Sequence, residues 1–193
     1  MKVQIEKSYP MPSSPEVAWE LLQDLEAVAG CMPGASITER LEGNRYKGTV
    51  AVKVGPASLS FRGEVEMKDI DAATHSLRLV AKGTDTSGSS AATMDISAHI
   101  APAEGGLCTL AGSSEVSMSG KAASFGARLF GGVADQVLGQ FASNFSQQVS
   151  ARQAQRPAPA LAAATELNGL AILWAAFRKW LRGLFSGKSA PPR

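Results

Sequence analysis

The sequence predicts an α+β fold, an antiparallel sheet wrapped around one long apolar helix. Two neighbouring segments, 45–54 and 58–68, alternate apolar and polar residues with a period of two and are joined by Gly55-Pro56. Three further strand-like segments follow, separated by short turns rich in Gly and Ser. Residues 122–151 then switch to helical spacing, with a large apolar side chain at every fourth position. A meander followed by a single apolar helix hides both apolar surfaces when the sheet curls over the helix.

In chain order, residues 3–9 alternate Val3 and Ile5 against Gln4 and Glu6 as a strand that Pro10 and Pro12 should stop. Ser14 is the expected N-cap of a first short helix, with Pro15 at its first position and Val17, Leu21, Leu22 and Leu25 turned inward. A second short helix ends at Pro33-Gly34. The strand at 45–54 sets Tyr46, Gly48, Val50, Val52 and Val54 on one face. That at 58–68 sets Leu59, Phe61, Gly63, Val65 and Met67 against Ser60, Arg62, Glu64, Glu66 and Lys68. Segments 74–83, 91–101 and 107–118 supply the next three, with Leu77/Leu79 and Met94/Ile96 among their apolar residues. In the long helix Phe125, Leu129, Val133, Val137, Phe141, Phe145 and Val149 form the four-step stripe, and Gly131-Gly132 reads as a kink or a close-packing site. The inner strand face carries Gly48, Gly63, Ala92 and Ala98, which either complement the large helix residues or leave room beside them.

Charge divides the chain. Residues 1–150 hold 12 Lys and Arg against 16 Asp and Glu, a formal −4, whereas residues 151–193 hold 7 against 1, a formal +6. Such a basic arm has a partner of its own. Within it Leu167, Leu170, Leu173, Trp174, Phe177, Trp180, Leu181, Leu184 and Phe185 share an arc of roughly 140° at helical spacing, and Arg178, Lys179 and Arg182 lie opposite. Its uncharged run is about 11 residues, against the roughly 20 that cross a bilayer, so this helix is expected to lie in an anionic membrane surface. Packing on a partner protein or back on its own body are the alternatives. The linker at 151–164 contains Pro157 and Pro159, which break a continuous helix and favour a segment that reaches away. The organisation expected is therefore a domain at 1–150, a linker at 151–164 and a membrane-binding helix with its tail at 165–193.

The remaining composition excludes more than it assigns. Residues 1–12 have no apolar signal region, and Cys31 and Cys108 lack metal-site spacing, as expected of reduced thiols in the cytoplasm. His75, in an expected turn, and His99, on a polar strand face, have no second ligand at metal spacing. No nucleophile elbow, phosphate loop or dinucleotide fingerprint occurs. Catalytic residues, metal sites and nucleic-acid partners are not expected.

The runs Tyr46-Lys47-Gly48, Val52-Lys53-Val54-Gly55-Pro56 and Phe61-Arg62-Gly63-Glu64-Val65 resemble the carbon monoxide dehydrogenase G-subunit family. Cys31-Met32-Pro33-Gly34-Ala35, Gly83 with Gly88-Ser89, and the stretch 116–120 agree with it, so the resemblance covers roughly residues 2–150. It implies a helix-grip fold of the START and Bet v 1-like (polyketide cyclase) superfamily. That fold has seven antiparallel strands around the long C-terminal helix, two short helices after strand 1, and residues 36–41 as the second strand. It also implies an apolar cavity, for which Tyr46, Val50, Val52, Phe61, Val65, Leu79, Met94, Ile96, Phe125, Leu129 and Val133 are the candidate lining. The function implied is non-catalytic: recruitment of a molybdenum-containing carbon monoxide dehydrogenase, or a related molybdenum hydroxylase, to the inner face of the cytoplasmic membrane. No covalent cofactor is implied, and a lipophilic isoprenoid quinone is the ligand implied for the cavity, with the Tyr46 hydroxyl as a donor to its carbonyl. A cyclase-like enzyme using the same cavity and a purely structural tether are the alternatives.

Overall fold

The computed structural model describes residues 1–54 and 57–154. Within them seven strands form one antiparallel sheet in the order β1-β7-β6-β5-β4-β3-β2. Strand β1 spans Lys2–Met11, two residues beyond its expected end, because a sheet-edge strand accommodates the missing N–H of Pro10. Helix α1 (Pro15–Gln23) begins where expected: Val17 N–H donates to the Ser14 hydroxyl at 3.5 Å, and Pro15 occupies the first turn. Helix α2 (Leu25–Cys31) starts on Asp24, whose carboxylate accepts from Ala27 N–H at 3.1 Å. Strand β2 (Ala35–Arg40) supplies the second edge and is bulged between Ile37 and Glu39. Strands β3 (Arg45–Val54), β4 (Ala57–Asp71), β5 (Ser76–Asp85), β6 (Ser90–Pro102) and β7 (Cys108–Gly120) follow in a meander.

The small inner-face residues prove to serve curvature. Gly48, Gly63 and Gly83 are direct cross-strand neighbours on β3, β4 and β5. A Cβ at Gly63 would lie 2.0 Å from the Lys82 carbonyl oxygen, and one at Gly48 2.8 Å from that of Ser36. The sheet thus curls so tightly along this row that the adjoining backbone occupies the space of a side chain.

The long helix begins later than its apolar repeat suggests. Lys121–Phe125 form a 3-10 turn, Gly126 at φ +79° reverses the chain, and α3 runs from Ala127 to Gln153. Phe125 is therefore not on the helix. A four-residue step also advances 40° beyond a full turn, so Leu129 and Val149 lie about 160° apart around α3. The fully or nearly buried positions are Phe130, Ala142, Phe145 and Val149, while Leu129 is 40% exposed. Gly131 and Gly132 mark no close contact: an added Cβ at either meets nothing within 4 Å, and α3 runs through both without a break.

The convex face of the sheet is polar, as its alternation requires. Arg78 holds Asp95 through both guanidinium edges and Asp69 at 3.7 Å; Arg45 pairs with Glu64 at 2.7 Å and Lys2 with Glu115 at 2.8 Å. Among the described residues no helix is long and apolar enough to cross a membrane.

Candidate functional site: the concave face between two cores

Two separate apolar cores fill the ends of the concave face. One joins α1 and α2 to the C-terminal half of α3, through Trp19, Leu21, Leu25, Tyr46, Met67, Leu77, Ile100, Phe145 and Val149. The other, smaller, joins the 3-10 turn and the start of α3 to the β3–β4 hairpin through Val54, Phe61, Ala122 and Phe130. From the larger core, to which Tyr46 and Met67 belong, a register row of Tyr46, Val65, Ala81, Met94, Val116 and Val3 crosses the sheet, with the row of Met67, Leu79, Ile96, Ser114 and Ile5 beside it. Val116 is buried yet belongs to neither core. Met94, in the middle of the sheet and on its inner face, is 36% exposed, as is Val50. A central apolar residue on a sheet's covered side is normally buried, so here the helix leaves a strip of the concave face open.

Five of the eleven expected lining residues share these two rows: Met94 and Ile96 lie outside both cores, whereas Tyr46 belongs to the larger core and Val65 and Leu79 pack against it. Phe61, Val52, Phe125 and Val133 belong to the smaller core, with Phe125 edge-on to Phe130 at 6.4 Å between ring centres. Val50 adjoins that core as the cross-strand neighbour of Phe61. Leu129 lies in neither core. Tyr46 is 92% buried and stacks under the Arg40 guanidinium at 5.6 Å; its hydroxyl reaches solvent, since no buried polar side-chain atom among the described residues lacks a partner.

Helix α3 is fastened unevenly. At its C-terminal end Asn144 donates to the Cys31 carbonyl at 2.9 Å, Arg152 pairs with Asp24 at 3.3 Å, and Gln153 accepts from Ser14 N–H at 3.2 Å. In the middle of the helix Asp135 pairs with Lys7 of the sheet at 2.9 Å, which raises the Lys7 pKa through the hydrogen bond and the charge of Asp135. Sequence reasoning passed over Lys7, although it stands in the apolar phase of β1 between Ile5 and Tyr9. The start of α3 is positioned by the β5–β6 turn. There Asp85 accepts from the Ser87 and Ser89 hydroxyls at 2.5 and 3.2 Å and from Ser90 N–H at 2.7 Å, and the Ser90 hydroxyl accepts from Ala122 N–H at 2.9 Å. The Ser87 hydroxyl above all, with the Ser90 N–H, holds the Asp85 carboxyl below the usual carboxylate range.

The other reactive side chains stand apart from the strip. Cys31 and Cys108 are free and buried, and burial pushes the Cys31 thiol up to about 11. His75 stacks on Trp19 with ring centres 5.5 Å apart, and His99 lies on the convex face. Among the described residues no group of His, Cys, Asp and Glu could hold a metal ion. A recess of about 390 Å³ lies between α2 and the free edge of β2, and one of about 270 Å³ lies beside His99. Leu170, Leu173, Trp174, Phe177, Arg178, Lys179, Trp180, Leu181, Arg182, Leu184 and Phe185, expected to meet a membrane, lie outside the described residues, as does most of the linker.

A sheet that grips a long C-terminal helix, with two short helices after strand 1 and an apolar concave face, defines the helix-grip class of START-like proteins. Solved structures agree on the fold. A conserved protein from Geobacillus kaustophilus is 20% identical with a TM-score of 0.68, over 77% of this chain and 95% of that one. A START superfamily protein from Mycobacterium smegmatis is 15% identical with a TM-score of 0.54, over 76% and 97%. The Zhui aromatase/cyclase from Streptomyces is 12% identical with a TM-score of 0.56, over 79% and 96%. No curated protein matches the sequence. The model of the carbon monoxide dehydrogenase G-subunit (CoxG) family matches residues 9–150, and the chain belongs to that family.

Proposed function

We propose that this protein is a non-catalytic adaptor that brings a molybdenum-containing carbon monoxide dehydrogenase, or a related molybdenum hydroxylase, to the inner face of the cytoplasmic membrane. It carries a lipophilic isoprenoid quinone on the open strip of its concave face, so that the enzyme's electrons reach the membrane pool. The observation that carries this reading is the strip itself: Met94 is 36% exposed at the centre of an inner sheet face, in one register row with Ala81 and the buried Val116. Contiguous apolar surface left open on a folded protein is a binding surface. Family membership supports the enzyme partner, and the basic, Trp-bearing arm supports the membrane.

Flotation of the full chain with vesicles containing phosphatidylglycerol tests the membrane half. Each basic residue near an anionic leaflet contributes about 1 kcal/mol, so changing Arg178, Lys179 and Arg182 together to Gln should weaken binding about 100-fold at low salt. A wild-type chain that stays with the soluble fraction would overturn this half. The cyclase-like reading draws on the aromatase/cyclase fold relative. It requires a set of ionisable groups converging on the substrate, whereas the strip rows carry no such set and one ion pair, Lys7 with Asp135, stands at their β1 edge.

A further inference from the structure

We propose that Lys7 recognises the polar end of the ligand on the concave strip, donating to an acceptor oxygen such as a quinone carbonyl, and that Asp135 holds its ammonium group while the strip is empty. The inference rests on the reading of the strip as a ligand site and goes beyond it by assigning the group that selects for a carbonyl.

Four observations converge. Lys7 sits in the inward phase of β1, where its neighbours along the strand are Ile5, Tyr9 and Met11. Its counter-ion is on the opposite wall, so the 2.9 Å contact crosses from sheet to helix. On α3, Gly131 and Gly139 flank Asp135 one turn before and after, and an added Cβ at either meets nothing within 4 Å. In the sheet, the cross-strand neighbour of Lys7 is Gly112, followed by Ala98. The pair thus has a bare glycine beside it in the sheet and one on each side on the helix, and is itself partly open, with the Lys7 side chain 39% and that of Asp135 65% exposed. An ammonium there has room to turn from a carboxylate to a ligand without repacking its neighbours.

The chemistry favours an acceptor. Lysine offers three donors and no acceptor, and the Tyr46 hydroxyl adds another donor on the far side of the strip. An inward Lys on an edge strand also guards against unwanted strand pairing, but that duty needs no partner on the helix and confers no preference among ligands.

The test uses the full chain and two probes of similar shape, menadione (a methylnaphthoquinone) and methylnaphthalene, with binding measured by equilibrium dialysis. The wild-type chain should bind menadione about tenfold more tightly than the hydrocarbon, the contribution of one charge-assisted hydrogen bond. Lys7→Met should erase that preference while leaving methylnaphthalene binding unchanged; Lys7→Arg should keep most of it. Asp135→Asn, at a position 65% exposed and therefore tolerant of change, should tighten menadione several-fold by releasing Lys7. If Lys7→Met retains the preference, the assignment of Lys7 is overturned and the strip stands as a ligand site. If the wild-type chain binds neither probe, the strip itself is not the site.

Discussion

Replacing Gly63 with Ala puts the curvature of the sheet to a quantitative test. The new Cβ would lie 2.0 Å from the Lys82 carbonyl oxygen, 2.6 Å from Gly83 Cα and 2.8 Å from the Lys82 carbonyl carbon. The closest contact falls short of ordinary separation by about 1.5 Å. All three atoms are backbone, so no rotamer can yield, and β4 must move away from β5. Overpacking of this kind costs about 1–3 kcal/mol, and loosening the two adjoining ladder bonds adds about 1 kcal/mol each. The reduced freedom of the unfolded chain returns about 0.4–1 kcal/mol. The net is about 3 kcal/mol, or a fall of roughly 6–12 °C in thermal midpoint for a domain of this size. Gly139→Ala is the matched control. It lies inside α3 with nothing within 4 Å of the added methyl, and should stabilise by about 0.8–1 kcal/mol. Urea unfolding of both variants of the full chain measures the pair. A Gly63→Ala midpoint within error of wild type would refute the claim that the glycine row is there for curvature.

The phase of α3 is checked by Phe145→Ala, which empties a fully buried site and should cost about 3–5 kcal/mol. Leu129→Ala should cost less than about 1 kcal/mol, and equal costs would restore the four-step stripe. Asp85→Asn removes a carboxylate held below its usual range by Ser87, Ser90 N–H and Ser89. A depressed folded pKa contributes stability above the unfolded value of about 3.9 and loses it as pH falls through the lower folded value. The variant should therefore melt earlier at pH 7 and converge on wild type in acid, whereas a gap constant down to low pH would contradict the turn's role. Cys31 and Cys108 should resist a thiol reagent in the native chain at pH 8, since both are buried and burial raises both thiols. Rapid labelling of either would show that the larger core opens.

What the chain reveals before folding depends on how local the cause is. The alternation of residues 58–68 is a local steric fact, and β4 forms there with the same residues inward. The Ser14-Pro15 start of α1 is equally local and forms as read. The misplaced features depend on neighbours distant in sequence. Pro10 ends a strand only when a ladder runs on both its sides, and β1 has one partner. Phe125 extends an apolar repeat that Gly126 interrupts, and a positive φ at a glycine is invisible in the repeat. The glycines of β3, β4 and β5 could have meant space or packing; only their register, side by side, reveals a bend. Of the strip, the apolar residues were legible from alternation. Lys7 was legible too, as a charge standing in an apolar phase, but its significance needed Asp135, which lies 128 positions away.

The central claim is that the concave strip between the two cores takes an apolar ligand. Methionine methyl NMR of the full chain during titration with menadione tests it most directly, because Met94 lies on the strip while Met11 is buried in the larger core away from it. A saturable shift of the Met94 methyl, with Met11 unmoved, is the predicted result; a Met94 signal that stays fixed through saturating ligand would contradict it.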